Sequence, residues 1–523
     1  MRYLVTILII TLSPITKAAT FTVDTTSDAS LSACTAAPDD CSLRGAINAA
    51  NATPAADDIH FNIPQSDAGF QSATQHWRIS IPDSQPLLRP TAAVLIDGTT
   101  QPGAIANTNS PAQGGLNGTL KIEVRGNNPN GNANYAFLLD GDSAATLRGL
   151  AISGFRDGQV FFGGLGAHRL EGCYLGTDIT GSATAFLSGM QPITNGVIFA
   201  GNGNYVIGGT LPGDRNLLSG FNFAMSTSGN ALASVRIQGN LIGTNAAGAA
   251  VIGNAFGLLS FRFGNTLIGG SEPDARNVFS GHTGQALLLR TAGNAGVFAN
   301  TQILGNYFGT DVSGNRALGN DLQRRGSSIE IAATGCALTL GGTEAGEANL
   351  IAYSASSGVA VFGCNGQQTP LNQYRGNQGP AFDNGVGNST FGSTANDALD
   401  VDEGGNRLQN YPELTLPAVG STMLGYRVDT AIVNATYPIT VNFYRAGCGG
   451  GSDALVTSAT ISAAQAQQTL SLDTTALENY LPLTATAVDA AGNTSEFAPT
   501  LGEEIFRSGF EDILAPLTAA SCR

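Results

Sequence analysis

The sequence predicts an all-β chain: a parallel β-helix solenoid with an N-terminal cap and a C-terminal β-sandwich. Three observations predict it. The first is a long internal repeat. Gly172-Cys-Tyr-Leu-Gly-Thr-Asp178, Gly239-Asn-Leu-Ile-Gly-Thr-Asn245 and Gly305-Asn-Tyr-Phe-Gly-Thr-Asp311 start 67 (239−172) and 66 (305−239) residues apart, and Gly181, Gly248 and Gly314 follow them at equal distance. The second is a further motif in fixed alternation: Ile207-Gly-Gly, Ile268-Gly-Gly and Leu340-Gly-Gly lead to Asn216, Asn277 and Asn349. The third is the texture between them. Short alternating apolar runs such as Ser234 to Ile237 and Ser328 to Ile331 are separated by Gly, Asn, Asp, Ser and Thr, which is the strand-and-turn signature. Self-similarity at a fixed period marks units that bury their apolar faces only against their neighbours.

The elements follow in chain order. Residues 1–19 read as a secretory signal: Met1-Arg2, an apolar run from Leu4 to Ile15, then Thr16-Lys17-Ala18-Ala19 with cleavage expected after Ala18 or Ala19. Residues 20–93 form the cap that covers an otherwise open sheet edge. Within it, Ser42 to Ala52 reads as a short amphipathic helix with Leu43, Ala46, Ile47 and Ala50 on one face. Asp57 to Asn62 and Trp77 to Ile81 read as strands, and His60 and Trp77, the only Trp, are expected to pack the cap.

Residues 94–395 form the solenoid. The repeat is too long for one coil, and division by three gives about 22 residues per coil. That leaves room for roughly ten coils between Leu147 and Gln378, a rod on the order of 50 Å long. Stacked Asn side chains can bond along such a rod, or each can cap a turn. The turn role is expected, since Asn240 and Asn306 would be three coils apart. Cys173 stands where those copies have Asn, and reads as a free buried thiol. Residues 396–411 are an acidic linker, 412–500 show short alternating strands such as Ile439 to Tyr444 and Leu483 to Val488, and 501–523 are a tail.

The two repeats resemble those of bacterial secreted right-handed parallel β-helix proteins of the pectin-lyase-like group. Upstream, Thr20-Phe-Thr-Val-Asp-Thr-Thr26, Cys34 and Cys41-Ser-Leu-Arg-Gly-Ala-Ile-Asn-Ala-Ala-Asn51 resemble the CSLREA domain, with Gly45 where its motif has Glu. Residues 485–497 resemble the last strands of bacterial immunoglobulin- or fibronectin-like modules. Ile505-Phe-Arg-Ser-Gly-Phe-Glu511 resembles a recurrent tail of exported proteobacterial proteins.

Composition narrows the function. A net charge of −15 disfavours nucleic acid and anionic membranes as partners. No other stretch is long enough to span a bilayer. Seven Cys in an exported chain imply disulfides. The expected pairs are Cys34 with Cys41, Cys336 with Cys364, and Cys448 with Cys522.

Catalysis on such a rod needs two carboxylates, or Asp-bound Ca²⁺ with a basic residue, on adjacent coils. Asp178 and Asp311, like Arg215 and Arg276, recur with the repeat, so they read as architecture. Asp321, Arg325 and Glu330 break the repeat and are the catalytic candidates, although an ordinary surface loop around Arg324-Arg325 is the expectation. His282 sits at a turn. Asp397, Asp400, Asp402 and Asn406 are the candidate ligands of a calcium ion, against a solvated acidic linker. The expected function is a secreted or surface-displayed structural or binding protein, contacting extracellular polysaccharide or surface proteins. The alternative is a polysaccharide lyase or glycoside hydrolase.

Overall fold

A computed structural model describes residues 18–501 except 83–86, 127–134, 186–194, 230–232, 292–297, 299, 334–335, 337, 365–370, 386–390, 416–421, 448–450 and 474–481. Residues 1–17 of the expected signal segment 1–19, Cys448, Cys522 and the expected tail from 502 lie outside the described residues.

Three long sheets of ten, eleven and nine strands make a β-helix-like solenoid. From Val94 to Phe362 the chain passes from the first sheet to the second to the third, eight times in succession. Strand pairing in these sheets is parallel except where Phe70–Gln71 turns back on His76–Ile81. Equivalent residues stack in columns. Ile207, Ile237, Ile268, Ile303 and Leu340 pair in register along the first sheet and are fully buried. Val197, Met225, Leu258, Leu287, Ile329, Val359 and Phe382 do the same on the third sheet. Both columns belong to one core, and each strand pairs only with those of the neighbouring coils.

Coil length differs from the sequence expectation. From Ala145 onward, first-sheet strands start 24 (169−145) to 37 (338−301) residues apart, so one repeat spans two coils, not three. The reason is that neighbouring coils differ. One carries a loop between its second and third sheets, closed by bridges Thr177–Thr184, Thr244–Val251 and Thr310–Ala317. The next carries a 3-10 turn between its first and second sheets: Pro212–Asp214, Pro273–Ala275 and Ala345–Glu347. The loops reach over the intervening coil, with Ala246 N donating to Gly181 O at 2.8 Å and Val312 N to Gly248 O at 2.9 Å. They cover Tyr174, Leu217, Leu241, Val278 and Tyr307 on the outer face of the second sheet.

The repeat Asn residues correct a second expectation. The two motifs deliver one Asn to the same place in successive coils, Asn216, Asn240, Asn277, Asn306 and Asn349, and Asn372 adds a sixth in the following coil. Each side-chain N–H donates to the next side-chain carbonyl at 2.9–3.1 Å. Asn240 and Asn306 are therefore two coils apart, with Asn277 between them. A buried amide has donors and an acceptor to satisfy, and the stack satisfies them. Cys173 occupies the rung before Asn216 as a free buried thiol. Burial pushes its thiol up to about 12.

At the N-terminal end the helix Leu43–Asn51 is capped by the Ser42 hydroxyl, which accepts from Gly45 N at 3.0 Å. Leu43, Ala46, Ile47 and Ala50 are buried as their spacing predicts. Gly45 is explained by a close approach: a Cβ there would lie 1.7 Å from the Leu31 carbonyl oxygen. Arg44 reaches back to Asp28 with both Nε and Nη2. Trp77 is buried and donates to Pro64 O at 2.9 Å. Thr20–Val23 and Asp57–Phe61 continue the first sheet, so the cap and rod share one core. Cys34–Cys41 and Cys336–Cys364 are bonded.

After Gly385 the pairing becomes antiparallel. Glu413–Thr415, Met423–Arg427 and Leu470–Asp473 form one three-stranded sheet; Ser452–Ile461, Ile439–Ala446 and Leu483–Val488 form another. Leu424, Tyr426, Val441, Phe443 and Ala485 share their core. This part abuts the last coil, where Tyr374 packs edge-on against Phe497 and Ser452 Oγ donates to Asn372 O at 3.1 Å. No helix of the described residues is long and apolar enough to cross a membrane.

Candidate functional site

The three catalytic candidates do not form one constellation. Asp321 is fully buried, and its carboxylate accepts from the backbone N–H groups of Arg325 at 2.6 Å and Gly326 at 3.0 Å. It shapes the loop, and burial pushes its carboxyl up. The Arg325 guanidinium is exposed, held by Gln323 and lying 5.2 Å from the centre of the Phe256 ring. Arg324 and Arg325 line a cavity of about 360 Å³ with Ser357, Gln378 and Phe391. Glu330 instead stands on the third sheet, buried, bonded to Arg290 Nη2 at 2.6 Å and Gln285 Nε2 at 2.9 Å.

A second acid in register with Glu330, two strands away, is Asp383, which sequence reasoning missed. Glu330, Ala360 and Asp383 pair in register on successive strands and alternate with the buried column, so they form one row. Two strand spacings put the carboxylate-bearing positions roughly 10 Å apart. Asp383 is fully buried; its Oδ2 accepts from Ser357 Oγ at 2.8 Å and Gly392 N at 2.9 Å. Its Oδ1 has no hydrogen-bond partner among the described residues. Burial pushes the acid up against those two donors. The only sequence signal was that this acid is absent from the repeat.

Glu496 lies just beyond. It accepts from Asn384 N and Thr394 N, both at 3.0 Å, and so ties the antiparallel part to the last coil. Burial, reinforced by the charge of Asp383, pushes it up to about 8 despite those donors. It lines a cavity of about 430 Å³ with Phe382, Tyr411 and Phe497.

The acidic linker does converge. Oxygens of Asp397, Asp400 and Asp402 lie within 4.8 Å of one another. Asp400 is the buried member, accepting from Asn410 N at 2.9 Å and Gln409 Nε2 at 3.0 Å. Burial, reinforced by the charges of Asp397 and Asp402, pushes it up to about 6. One oxygen of Asp402 is buried without a partner among the described residues. Asn406 does not join them: it is buried and donates to Asn384 Oδ1 at 3.2 Å. A hard divalent cation suits such an all-oxygen set.

The recurring polar residues are architectural. Arg215 is buried and donates to the carbonyls of Gly239, Asn109 and Gly114. Arg276 lies 4.2 Å from the centre of the Tyr307 ring. Asp178, Asn245 and Asp311 each accept from their own loop's backbone. His282 is fully buried, and burial pushes it down to about 3.

A different surface is open. A cleft of about 350 Å³ crosses four coils on the outer face of the first sheet. Asn204, Ser234, Asn265 and Asn300 edge it, and Val206, Arg236, Leu267 and Gln302 line it. Compared with known proteins, the chain matches no family model and no curated protein.

Proposed function

We propose that this chain is a secreted or cell-surface protein that binds extracellular glycans or surface proteins through its rod, without catalysis. In this reading it is a CSLREA-type cap on a right-handed parallel β-helix, ending in an immunoglobulin- or fibronectin-like sandwich. The supporting observation is the open cleft on the first sheet, four coils long and lined by side chains in register. Two disulfides suit an oxidising compartment. Calcium at Asp397, Asp400 and Asp402 would offset two of the three negative charges gathered where the rod meets the sandwich. A rise in melting temperature with calcium, lost in Asp402→Asn, supports that assignment; an unchanged melting temperature removes it.

The test of the main reading is a glycan array and a cell-surface pull-down with the mature chain. Saturable capture by either supports it, and absence of both in a folded sample refutes it. One observation favours a second reading, a polysaccharide hydrolase or lyase. The Glu330–Asp383 row has a spacing near the ~6.5–9.5 Å between carboxyls of inverting glycosidases. It predicts new reducing ends or unsaturated products from a polysaccharide, abolished in Glu330→Gln and Asp383→Asn. A screen with no turnover on any substrate removes it.

A further inference from the structure

We infer that the cleft on the first sheet holds one extended, uncharged oligosaccharide running along the rod axis. The inference rests on the binding reading above and names its ligand. Register carries the argument. Asn204, Ser234, Asn265 and Asn300 stand at equivalent positions of four successive coils, because their neighbours pair strand to strand. The Asn residues are exposed and Ser234 is half-buried. Two positions further along, Val206, Arg236, Leu267 and Gln302 pair in the same way. Arg236 and Gln302 project into solvent and alternate along the row with the half-buried aliphatic side chains of Val206 and Leu267.

The edge row therefore presents one short hydrogen-bonding side chain per coil, an amide in three coils and a hydroxyl in one, at intervals of about 4.8 Å. That interval is close to the length of one sugar unit in an extended chain. A polymer with a matching repeat meets an equivalent group at each unit; a compact ligand meets one or two. Asn and Gln amides offer a donor and an acceptor side by side, which suits hydroxyl groups that are both. Adjacent amides are held in line by Asn300 Nδ2 donating to Asn265 Oδ1 at 3.3 Å.

Charge selects among sugar chains. Arg236 is the one ionisable side chain among the lining residues other than the buried Tyr205. A chain with net charge −15 repels polyanions at long range. One guanidinium, with its five N–H donors, binds sugar hydroxyls without requiring an acidic unit.

The experiment is calorimetric titration of the full mature chain with unbranched hexasaccharides of glucose, xylose and mannose, their monosaccharides, and a hexauronate. At least one neutral hexasaccharide should bind tenfold or more tighter than its monosaccharide. The Arg236→Ala/Asn265→Ala double variant should weaken it at least tenfold at unchanged melting temperature, and Ser234→Trp should block it by filling the cleft. Unchanged affinity in both variants overturns the cleft and leaves glycan binding elsewhere on the rod intact. Tighter binding of the hexauronate overturns the neutral assignment. Binding of none of these overturns the inference, and the broader reading then depends on the array and the surface-protein pull-down.

Discussion

Replacing Asn277 by Ala removes the central rung of the amide ladder, and its cost follows from four hydrogen bonds. Asn277 Nδ2 donates to Asn306 Oδ1 at 2.9 Å and to Ile237 O at 2.7 Å, while its Oδ1 accepts from Asn240 N at 3.0 Å and Asn240 Nδ2 at 2.9 Å. At about 1 kcal/mol net for each bond, the loss is about 4 kcal/mol. Asn240 Nδ2 keeps the carbonyls of Ile207 and Gln238, so it is not stranded. The Asn240 backbone N–H is left buried and unpaired, which places the total nearer about 5 kcal/mol. Urea denaturation followed by circular dichroism measures it, with the exposed Asn265→Ala as a control expected within about 0.5 kcal/mol of wild type. Asn277→Asp sharpens the test. A carboxylate there faces the Asn306 oxygen, acceptor against acceptor. Burial raises its pKa above the unfolded value, so the variant loses stability as pH rises through the folded pKa and recovers on acidification. A cost below about 1 kcal/mol for Asn277→Ala would refute the argument that the ladder holds the coils together.

Three further predictions follow from the same structure. Cys173→Asn extends the ladder by one rung, since Asn216 Oδ1 already accepts from the Cys173 N–H at 2.8 Å; the midpoint should rise by a gain of about 1 kcal/mol. Gly45→Ala drives a methyl into the Leu31 carbonyl and should cost about 3 kcal/mol, read by thermal unfolding. Glu496 is held up to about 8 in the folded chain, so its contribution is present at low pH and is lost as pH rises from the ordinary carboxylate range toward 8. Glu496→Gln should match wild type near pH 4 and exceed it increasingly in melting temperature as pH rises toward 8; parallel pH profiles for the two proteins would sink this.

What could be read from the sequence was local. The amphipathic face of Leu43, Ala46, Ile47 and Ala50, the Cys34–Cys41 pair and strands such as Ser234 to Ile237 and Ser328 to Ile331 depend on neighbours within a few residues. Coil length was not legible, because a 66-residue period is compatible with two or three coils and only pairing decides between them. Calling the Asn residues turn caps followed from that error: with three coils per repeat, the ladder lacks members. The Glu330–Asp383 row was illegible for a related reason. The two acids are 53 residues apart (383−330), and their alignment is set by register through Ala360 rather than by any spacing rule. In the linker, Asp397, Asp400 and Asp402 are close in sequence and meet, whereas backbone geometry (φ +50°) carries Asn406 away to Asn384.

The pairing of unlike coils limits how such a rod can change length. Each loop over the second sheet leans on the loop two coils away, while the coil between supplies only a 3-10 turn. Duplicating a single coil would set two loop-bearing coils side by side, competing for one strip of apolar surface, or leave Leu241- and Val278-like residues bare. Growth or deletion by two coils preserves every contact. Recombination within this chain should therefore be tolerated in steps of one full repeat, and designed rods built on it should be lengthened in the same quantum.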